Sequence, residues 1–161
     1  MVIVSNTSPI SNLAAIGQLD LIRQLYGVIR IPNAVYEELL DERAGETVIT
    51  AVLSATWLEV WTVQNQALVS QLRDRVNIGE AEAIALAVEL HASRLLIDER
   101  LGRQAAIEEG VVVTGVLGVL LAAKRRGLIP AVKPQMDHLI TQAGFRIGSQ
   151  LYADIVLAAC E

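Results

Sequence analysis

The chain has 161 residues, of which 53% are hydrophobic and only 4% are aromatic, and its formal net charge at pH 7 is −5. This length suits one domain with its own core and is short for two, so we expect a single domain over residues 1–161. The acidic balance argues against a protein that grips nucleic acid over a wide basic surface. Because aromatic residues are scarce, the core must be filled by Ala, Val, Ile and Leu.

The cysteine and hydropathy patterns exclude several other classes of protein. Cys160 is the only cysteine, which excludes an intrachain disulfide, and the two histidines lie too far apart in the chain to suggest a zinc motif. No segment supplies the roughly 20 apolar residues that span a bilayer, and no basic leader precedes the first strand. These patterns predict a cytoplasmic protein without a membrane segment.

The chain begins with a short β-branched strand at residues 2–5, followed by Asn6-Thr7-Ser8-Pro9. Ser8 is predicted to cap the first helix, because a proline such as Pro9 is tolerated at the first helical position. A strand that leads directly into a helix is typical of a parallel sheet. In such sheets ligands bind beyond the carboxyl ends of the strands, where Asn6 lies. Local turn chemistry is the alternative explanation of Asn6.

The rest of the chain alternates strand and helix signals. Further strands are predicted at residues 28–31, 58–63, 94–97 and 111–114, the second of these at a sheet edge because its residues partly alternate. Helices are predicted at 10–16, 19–25, 32–42, 64–74, 79–91, 99–109, 116–126, 134–143 and 149–160. Residues 47–55 suit either state and are interpreted as helix. Five strands interleaved with helices predict an α/β protein, a three-layer α/β/α sandwich around a parallel sheet.

The helix at 79–91 places its acidic residues on two different faces. At about 100° per residue, Glu82 and Glu89 share one polar stripe, and we expect both to face solvent. Glu80 lies on the side that the helix should bury, within the first turn, where the helix dipole favours an anion. Carboxylates are seldom buried without a partner or a metal ion, so Glu80 is a candidate site residue.

Two further segments contain candidate acids. Asp98 directly follows a predicted strand, where two roles that do not exclude each other are open: N-cap of the next helix, and ligand for metal or phosphate chemistry. The helix at 32–42 contains four acids, Glu37, Glu38, Asp41 and Glu42, and periodicity does not distinguish a site residue among them from a solvated face. Phosphate contacts require local basic residues, for which Arg94, Arg100 and Arg103 are candidates. The run at 124–126 is a further candidate, but it is better explained as a helix C-terminus whose basic residues complement the helix dipole.

Four segments in chain order resemble the PIN-domain family: VSNTSPI, IPNAVYEEL, GEAEAIALA and LLIDER. That family includes the toxin ribonucleases of bacterial and archaeal toxin–antitoxin pairs. The resemblance covers most of the chain, and GVLGVLLAAKRRGLI resembles a little-characterised subgroup of the same family. It implies a five-stranded parallel sheet of order 3-2-1-4-5, with an acidic cluster at its carboxyl edge that binds Mg²⁺ or Mn²⁺.

Carried over position by position, the resemblance assigns Glu38, Glu80 and Asp98 to the family's acids, with Glu82 as a register alternative to Glu80. The first family acid is an aspartate, and this chain has Asn6 at that position. Mg²⁺ prefers charged oxygen ligands, so the neutral amide is expected to lower the affinity for metal. The implied activity is metal-dependent hydrolysis of RNA, in which Asn6 and the three acids are both catalytic and metal-binding.

The resemblance also implies contacts and partners. Thr7, Ser8 and Arg100 are predicted to bind the substrate, and the family pattern implies a homodimer and a small antitoxin protein that covers the cleft. A catalytically impaired binding module with the same fold is the alternative that Asn6 leaves open. A receiver domain phosphorylated on aspartate is disfavoured, because no Asp ends the strand at 58–63.

Overall fold

A computed structural model describes all 161 residues. The strands are β1 (Ile3–Ser5), β2 (Ile29–Pro32), β3 (Leu58–Trp61), β4 (Arg94–Leu96) and β5 (Val113–Thr114). The helices are α1 (Thr7–Ala15), α2 (Asp20–Tyr26), α3 (Asn33–Leu40), α4 (Glu46–Ser54), α5 (Gln66–Leu72), α6 (Ile78–Glu89), α7 (Arg100–Glu108), α8 (Val116–Arg125), α9 (Lys133–Gln142) and α10 (Ser149–Ala158). A short 3₁₀ turn at Glu42–Ala44 separates α3 from α4.

The five strands form one sheet in the order β3-β2-β1-β4-β5, and every neighbouring pair is parallel. This confirms the predicted fold class and strand order. β1 lies at the centre, with Ser5 paired to Leu96 of β4, and β3 lies at an edge as its sequence pattern predicted. All carboxyl ends therefore meet at one rim of the sheet.

The core consists of 41 buried hydrophobic residues, none of them aromatic. This composition confirms the prediction that aliphatic side chains fill the interior. Helices flank the sheet: α6 contacts α3, α5 and α7, while α8 packs against α2 and α10. None of the helices combines the length and the apolar character that crossing a membrane requires.

The transition from β1 to α1 takes place at Asn6. Its backbone N–H donates to the carbonyl oxygen of Leu96 at 2.8 Å, which continues the β1–β4 pairing by one residue. Asn6 keeps an extended backbone, and α1 begins at Thr7 with Asn6 in the N-cap position. The prediction that Ser8 caps this helix is therefore wrong, because the sheet hydrogen bond fixes the turn two residues earlier. Pro9 is the third helical residue, where no N–H is needed for an intrahelical bond.

The segment predicted as helix at 47–55 is helix α4, and Val48 and Val52 explain why. They lie four residues apart, so both point to the same side of the helix, and both are buried. Burial of this face outweighs the β preference of its branched residues, since tertiary packing commonly overrides intrinsic propensity.

Glu89 does not face solvent freely as predicted. Its Oε1 accepts hydrogen bonds from the backbone N–H groups of Gln64 and Asn65, both at 2.9 Å. These groups lie at the start of α5, where backbone donors lack helical partners. Glu89, on the polar stripe of α6, therefore links this helix to the start of α5. Helical periodicity alone does not distinguish such a contact from exposure to solvent.

Candidate functional site

Glu38 of α3 contacts the first residue of α1. Thr7 Oγ1 donates to Glu38 Oε2 at 2.5 Å, a hydrogen bond between residues 31 positions apart. Both side chains line a cleft of about 670 Å³ that also includes Glu82, Asn33 and Arg43. The hydroxyl group fixes the carboxylate, which leaves Glu38 Oε1 towards the start of α6.

Gly79 allows the close approach of α6 to Glu38. A Cβ at this position would collide with Glu38 Oε1 and lie 3.0 Å from both Cδ and Oε2. Only a glycine lets the helix backbone pass this close to the carboxylate without displacing it. Gly79, which precedes Glu80 in the sequence, therefore leaves the space that the Glu38 carboxylate occupies.

Glu80 is buried, with 7% of its surface exposed, as its position on the helix predicted. It forms a capping box with Asn77: Asn77 Oδ1 accepts from Glu80 N at 2.9 Å, and Asn77 N donates to Glu80 Oε2 at 3.2 Å. Burial raises the pKa of Glu80 above its usual value, the Asn77 hydrogen bond opposes this shift, and the Glu99 and Glu38 carboxylates add to it.

Glu82 does not lie on a solvated face as the helical period predicted. Its Oε1 accepts a hydrogen bond at 3.0 Å from the backbone N–H of Ala34, in the first turn of α3. Glu82 therefore lines the same cleft as Thr7 and Glu38, whereas Glu80 lines a separate cleft beside Glu99. Of the two register alternatives, Glu82 is the one that shares the cleft of Glu38.

Asn6 is 4% exposed, and its side-chain Oδ1 is buried without a hydrogen-bond partner. Its neighbour Ser5 is also buried and donates through Oγ to the carbonyl oxygen of Asn6 at 2.9 Å. A buried amide oxygen without a donor is uncommon in folded proteins. This atom therefore lies at the carboxyl end of the central strand with its acceptor capacity unused.

Asp98 follows β4 and contacts the start of α8. Its Oδ1 accepts from Val116 N at 2.8 Å, while its Oδ2 is buried without a partner. The alternative that Asp98 caps the next helix is wrong, because Glu99 occupies the N-cap of α7 and Asp98 turns to α8 instead. Burial raises the pKa of Asp98, and the Val116 hydrogen bond and the Arg103 charge oppose that shift.

Gly115 makes this position of Asp98 possible. A Cβ on Gly115 would lie 2.7 Å from Asp98 Oδ1 and 3.1 Å from Arg103 Nη1. Arg103 donates through Nη1 to the carbonyl oxygen of Ile97 at 3.0 Å. The carboxylate and the guanidinium therefore converge at the backbone of the β5–α8 turn.

The four predicted ligands are distributed along the rim rather than gathered at one point. Glu38, Glu80 and Asp98 line three different clefts, and no group of three or more His, Cys, Asp or Glu side chains is close enough to hold a metal ion. Two partnerless oxygens, Asn6 Oδ1 and Asp98 Oδ2, are suited to a hard cation. The free oxygens of Asn6 and Asp98 therefore suit a divalent cation, although no three acidic side chains gather around one point.

The predicted substrate contacts lie near the same rim. Ser8 is half-buried in the first turn of α1, and Arg100 is exposed at the first residue of α7. Sequence reasoning assigned no role to Asn33, Arg43 or Gly115. A glycine directly before a helix that follows a strand is the signal that marks Gly115, since such positions allow close approach of a side chain or ligand.

Comparison with known proteins gives a family match over nearly the whole chain. A family model described as PIN domain, DUF3368, matches residues 2–161. No curated protein and no solved structure matches significantly. The match extends over all five strands and all ten helices.

Proposed function

The chain belongs to the PIN-domain family, and on this premise we propose that it is a divalent-cation-dependent nuclease that hydrolyses phosphodiester bonds of RNA. The observation that carries the proposal is the pair of partnerless buried oxygens, Asn6 Oδ1 and Asp98 Oδ2. They follow the neighbouring strands β1 and β4, so both belong to the carboxyl rim, where parallel sheets bind ligands.

In this proposal Asn6 and Asp98 would hold Mg²⁺ or Mn²⁺ through their partnerless oxygens, and Glu38 and Glu80 are the further ligands that the family resemblance implies. The cation, when bound, supplies Lewis-acid charge that offsets the charge developing on the phosphoryl oxygens. Asn6 contributes a neutral amide oxygen, so the donor set has one negative charge fewer than a set with Asp at that position. We therefore expect weak metal binding and slow turnover.

Other side chains of the protein have positioning and substrate-binding roles in this proposal. Thr7 orients Glu38 through its hydroxyl hydrogen bond. Glu80 accepts a hydrogen bond from Asn77 N through Oε2, and its Oε1, which makes no hydrogen bond, is the atom available to the cation. Ser8 and Arg100 bind phosphate oxygens of the substrate.

A finer proposal concerns the biological setting. The family resemblance supports a toxin of a toxin–antitoxin pair, which acts in the cytoplasm as a homodimer and is inhibited by a cognate antitoxin protein. Induced expression in a bacterial host is expected to arrest growth, while the Asp98→Asn variant at the same protein level permits growth. Equal growth of the two strains would contradict the toxin assignment. It would not contradict the nuclease activity, which a separate RNA cleavage assay tests.

The nuclease proposal is tested by metal titration and RNA cleavage in parallel. Calorimetry with Mn²⁺ is expected to show weak binding to the native protein, tighter binding to Asn6→Asp and none to Asp98→Asn. Cleavage of a fluorogenic single-stranded RNA should follow the same order. Glu38→Gln should lose activity, whereas the control Glu46→Gln, at an exposed position at the start of α4 outside this cleft, should keep it.

A second candidate function is a binding module with the PIN fold and no turnover. Two observations favour it: the amide at residue 6 and the absence of three gathered acids. The two candidates give different results with Asn6→Asp. If the native protein neither binds Mn²⁺ nor cleaves RNA while Asn6→Asp does both, the native chain is the binding module; if neither protein does, the nuclease site itself is wrong.

A further inference from the structure

A third cleft has Asp98 among its lining residues. We call it the α8–α10 cleft: it lies between the end of β5, the first two turns of α8, and the segment from Phe145 to Ile155. Its volume is about 540 Å³, which is within the range of sites for small organic ligands. Six of its twelve lining residues are hydrophobic, and the rest are polar, charged or glycine.

Two arginines of this cleft form no salt bridge, although Arg103 lies beside Asp98. Arg103 and Arg146 both line it, and neither takes part in any of the six ion pairs of the structure. Arg103 uses only Nη1, towards Ile97 O, and Arg146 makes no side-chain hydrogen bond. In a chain with a net charge of −5, this leaves most donors of two guanidinium groups available at one cleft. Guanidinium groups match the geometry of phosphate oxygens.

The single acid of this cleft is Asp98. Its Oδ1 is already engaged by Val116 N, and Arg103 lies close enough to offset its charge. With two arginines and one aspartate among its lining residues, the cleft has a net positive charge, and Asp98 lies within it beside Arg103. An anionic ligand is favoured at the two arginines and not at Asp98.

One wall of the cleft is apolar and contains an aromatic ring. Phe145 is the only phenylalanine of the chain, and it is half-buried beside Leu121, Leu151 and Ile155. Leu151 is 48% exposed, so this wall is open to a ligand. Aromatic side chains next to cationic ones are the usual surroundings of an unpaired base in single-stranded RNA.

We propose that the α8–α10 cleft binds one nucleotide of a single-stranded RNA, with its phosphate on Arg103 and Arg146 and its base against Phe145. This inference rests on the proposed nuclease function, because the bound nucleotide then neighbours the phosphodiester at Asp98. It makes the cleft a determinant of substrate choice. An ordered duplex does not present a base to this wall, so the substrate must be single-stranded here.

The test measures RNA binding without cleavage. Fluorescence anisotropy with a labelled ten-nucleotide single-stranded RNA is recorded in EDTA, so that affinity is independent of any divalent cation. Arg146→Gln and Phe145→Leu are each expected to raise Kd about 10-fold. Arg146→Gln should also reduce the slope of log affinity against log salt by about one.

The control is Arg125→Gln, which removes the same charge from an exposed position on the last turn of α8. It should change Kd less than about 2-fold and leave the salt slope unchanged. Arg146 is exposed and its side chain makes no hydrogen bond, so Arg146→Gln is expected to fold even if Phe145→Leu does not. Thermal melts check that both variants fold.

The inference is overturned if the native protein does not bind the RNA in EDTA, or if Arg125→Gln weakens binding as much as Arg146→Gln. The first result means that the cleft takes no nucleotide, and the second that only overall charge matters. Neither result determines the outcome of the Mn²⁺ binding and RNA cleavage measurements. If the protein binds RNA in EDTA but does not cleave it with Mn²⁺, the nucleotide site in the cleft stands and the nuclease assignment is wrong.

Discussion

Glu82 of α6 fixes the first turn of α3, because its Oε1 accepts a hydrogen bond from Ala34 N at 3.0 Å. The interaction spans 48 residues and joins the two helices that contain Glu38 and Glu80. A carboxylate at a helix N-terminus satisfies a free backbone donor and interacts favourably with the helix dipole.

This contact predicts that Glu82→Ala lowers the free energy of unfolding by about 1 kcal/mol, even though Ala favours helix formation. Glu82→Gln keeps an acceptor oxygen and should lose about half as much. Urea denaturation followed by circular dichroism measures both. The control is Glu37→Ala on an exposed position of α3; if it destabilises the protein as much as Glu82→Ala, the contact has no specific role.

The hydrogen bond from Thr7 to Glu38 predicts a second pair of variants. Thr7→Val keeps the shape of the side chain but removes the hydroxyl donor, so it should cost about 1.5 to 3 kcal/mol of stability, as for a hydrogen bond to a charged group. RNA cleavage with Mn²⁺ should fall at least about 10-fold, since misplacing a catalytic group by about 1 Å is costly. Thr7→Ser should retain both properties. Identical behaviour of the two variants would show that the hydroxyl does not orient Glu38.

The sequence predicted the fold well, because its signals are local. β-Branched runs, helix periods and turn glycines each depend on a few neighbouring residues, and their order determines a parallel sheet. The family resemblance supplied the strand order, which the structure confirms. The burial of Glu80 also followed from helical period alone.

The errors all concern contacts between distant residues. Glu82 and Glu89 have the period of a solvated face, yet each carboxylate satisfies the backbone of another helix. Asp98 has the position of a local N-cap, yet it binds Val116, 18 residues away. The sequence around a carboxylate does not indicate which helix terminus it binds. Only the packing of the helices therefore identifies its partner.

Gly79 predicts a variant that separates stability from activity. Gly79→Ala adds a Cβ that collides with Glu38 Oε1, and the collision is with the end of a flexible side chain rather than with backbone. We expect the helix to gain from Ala while Glu38 rotates away from Thr7, so the free energy of unfolding should change by less than about 1 kcal/mol. Mn²⁺ affinity and cleavage should fall. Gly148→Ala, at a position with no neighbour within 4 Å of the added Cβ, is the control; unchanged metal affinity in Gly79→Ala would contradict the role of Glu38.

Glu161 predicts a pH-dependent contribution to stability. Its carboxylate accepts from Val132 N at 2.7 Å, from Lys124 Nζ at 2.9 Å and from Lys133 N at 3.0 Å, and these contacts lower the pKa of Glu161 to about 2. Because the folded-state pKa lies below the usual value of 4.5, the ionised group stabilises the fold above pH 4.5, and this stabilisation is lost as the pH falls towards 2.

The variant Glu161→Gln should therefore be less stable than the native protein at pH 7 and approach it as the pH falls from 4.5 to about 2. Chemical denaturation at several pH values measures the difference. Asp154→Asn, an exposed change on α10, is the control and should show a smaller dependence. A difference between Glu161→Gln and the native protein that stays constant across this pH range would mean that the three contacts do not depend on the charge of Glu161.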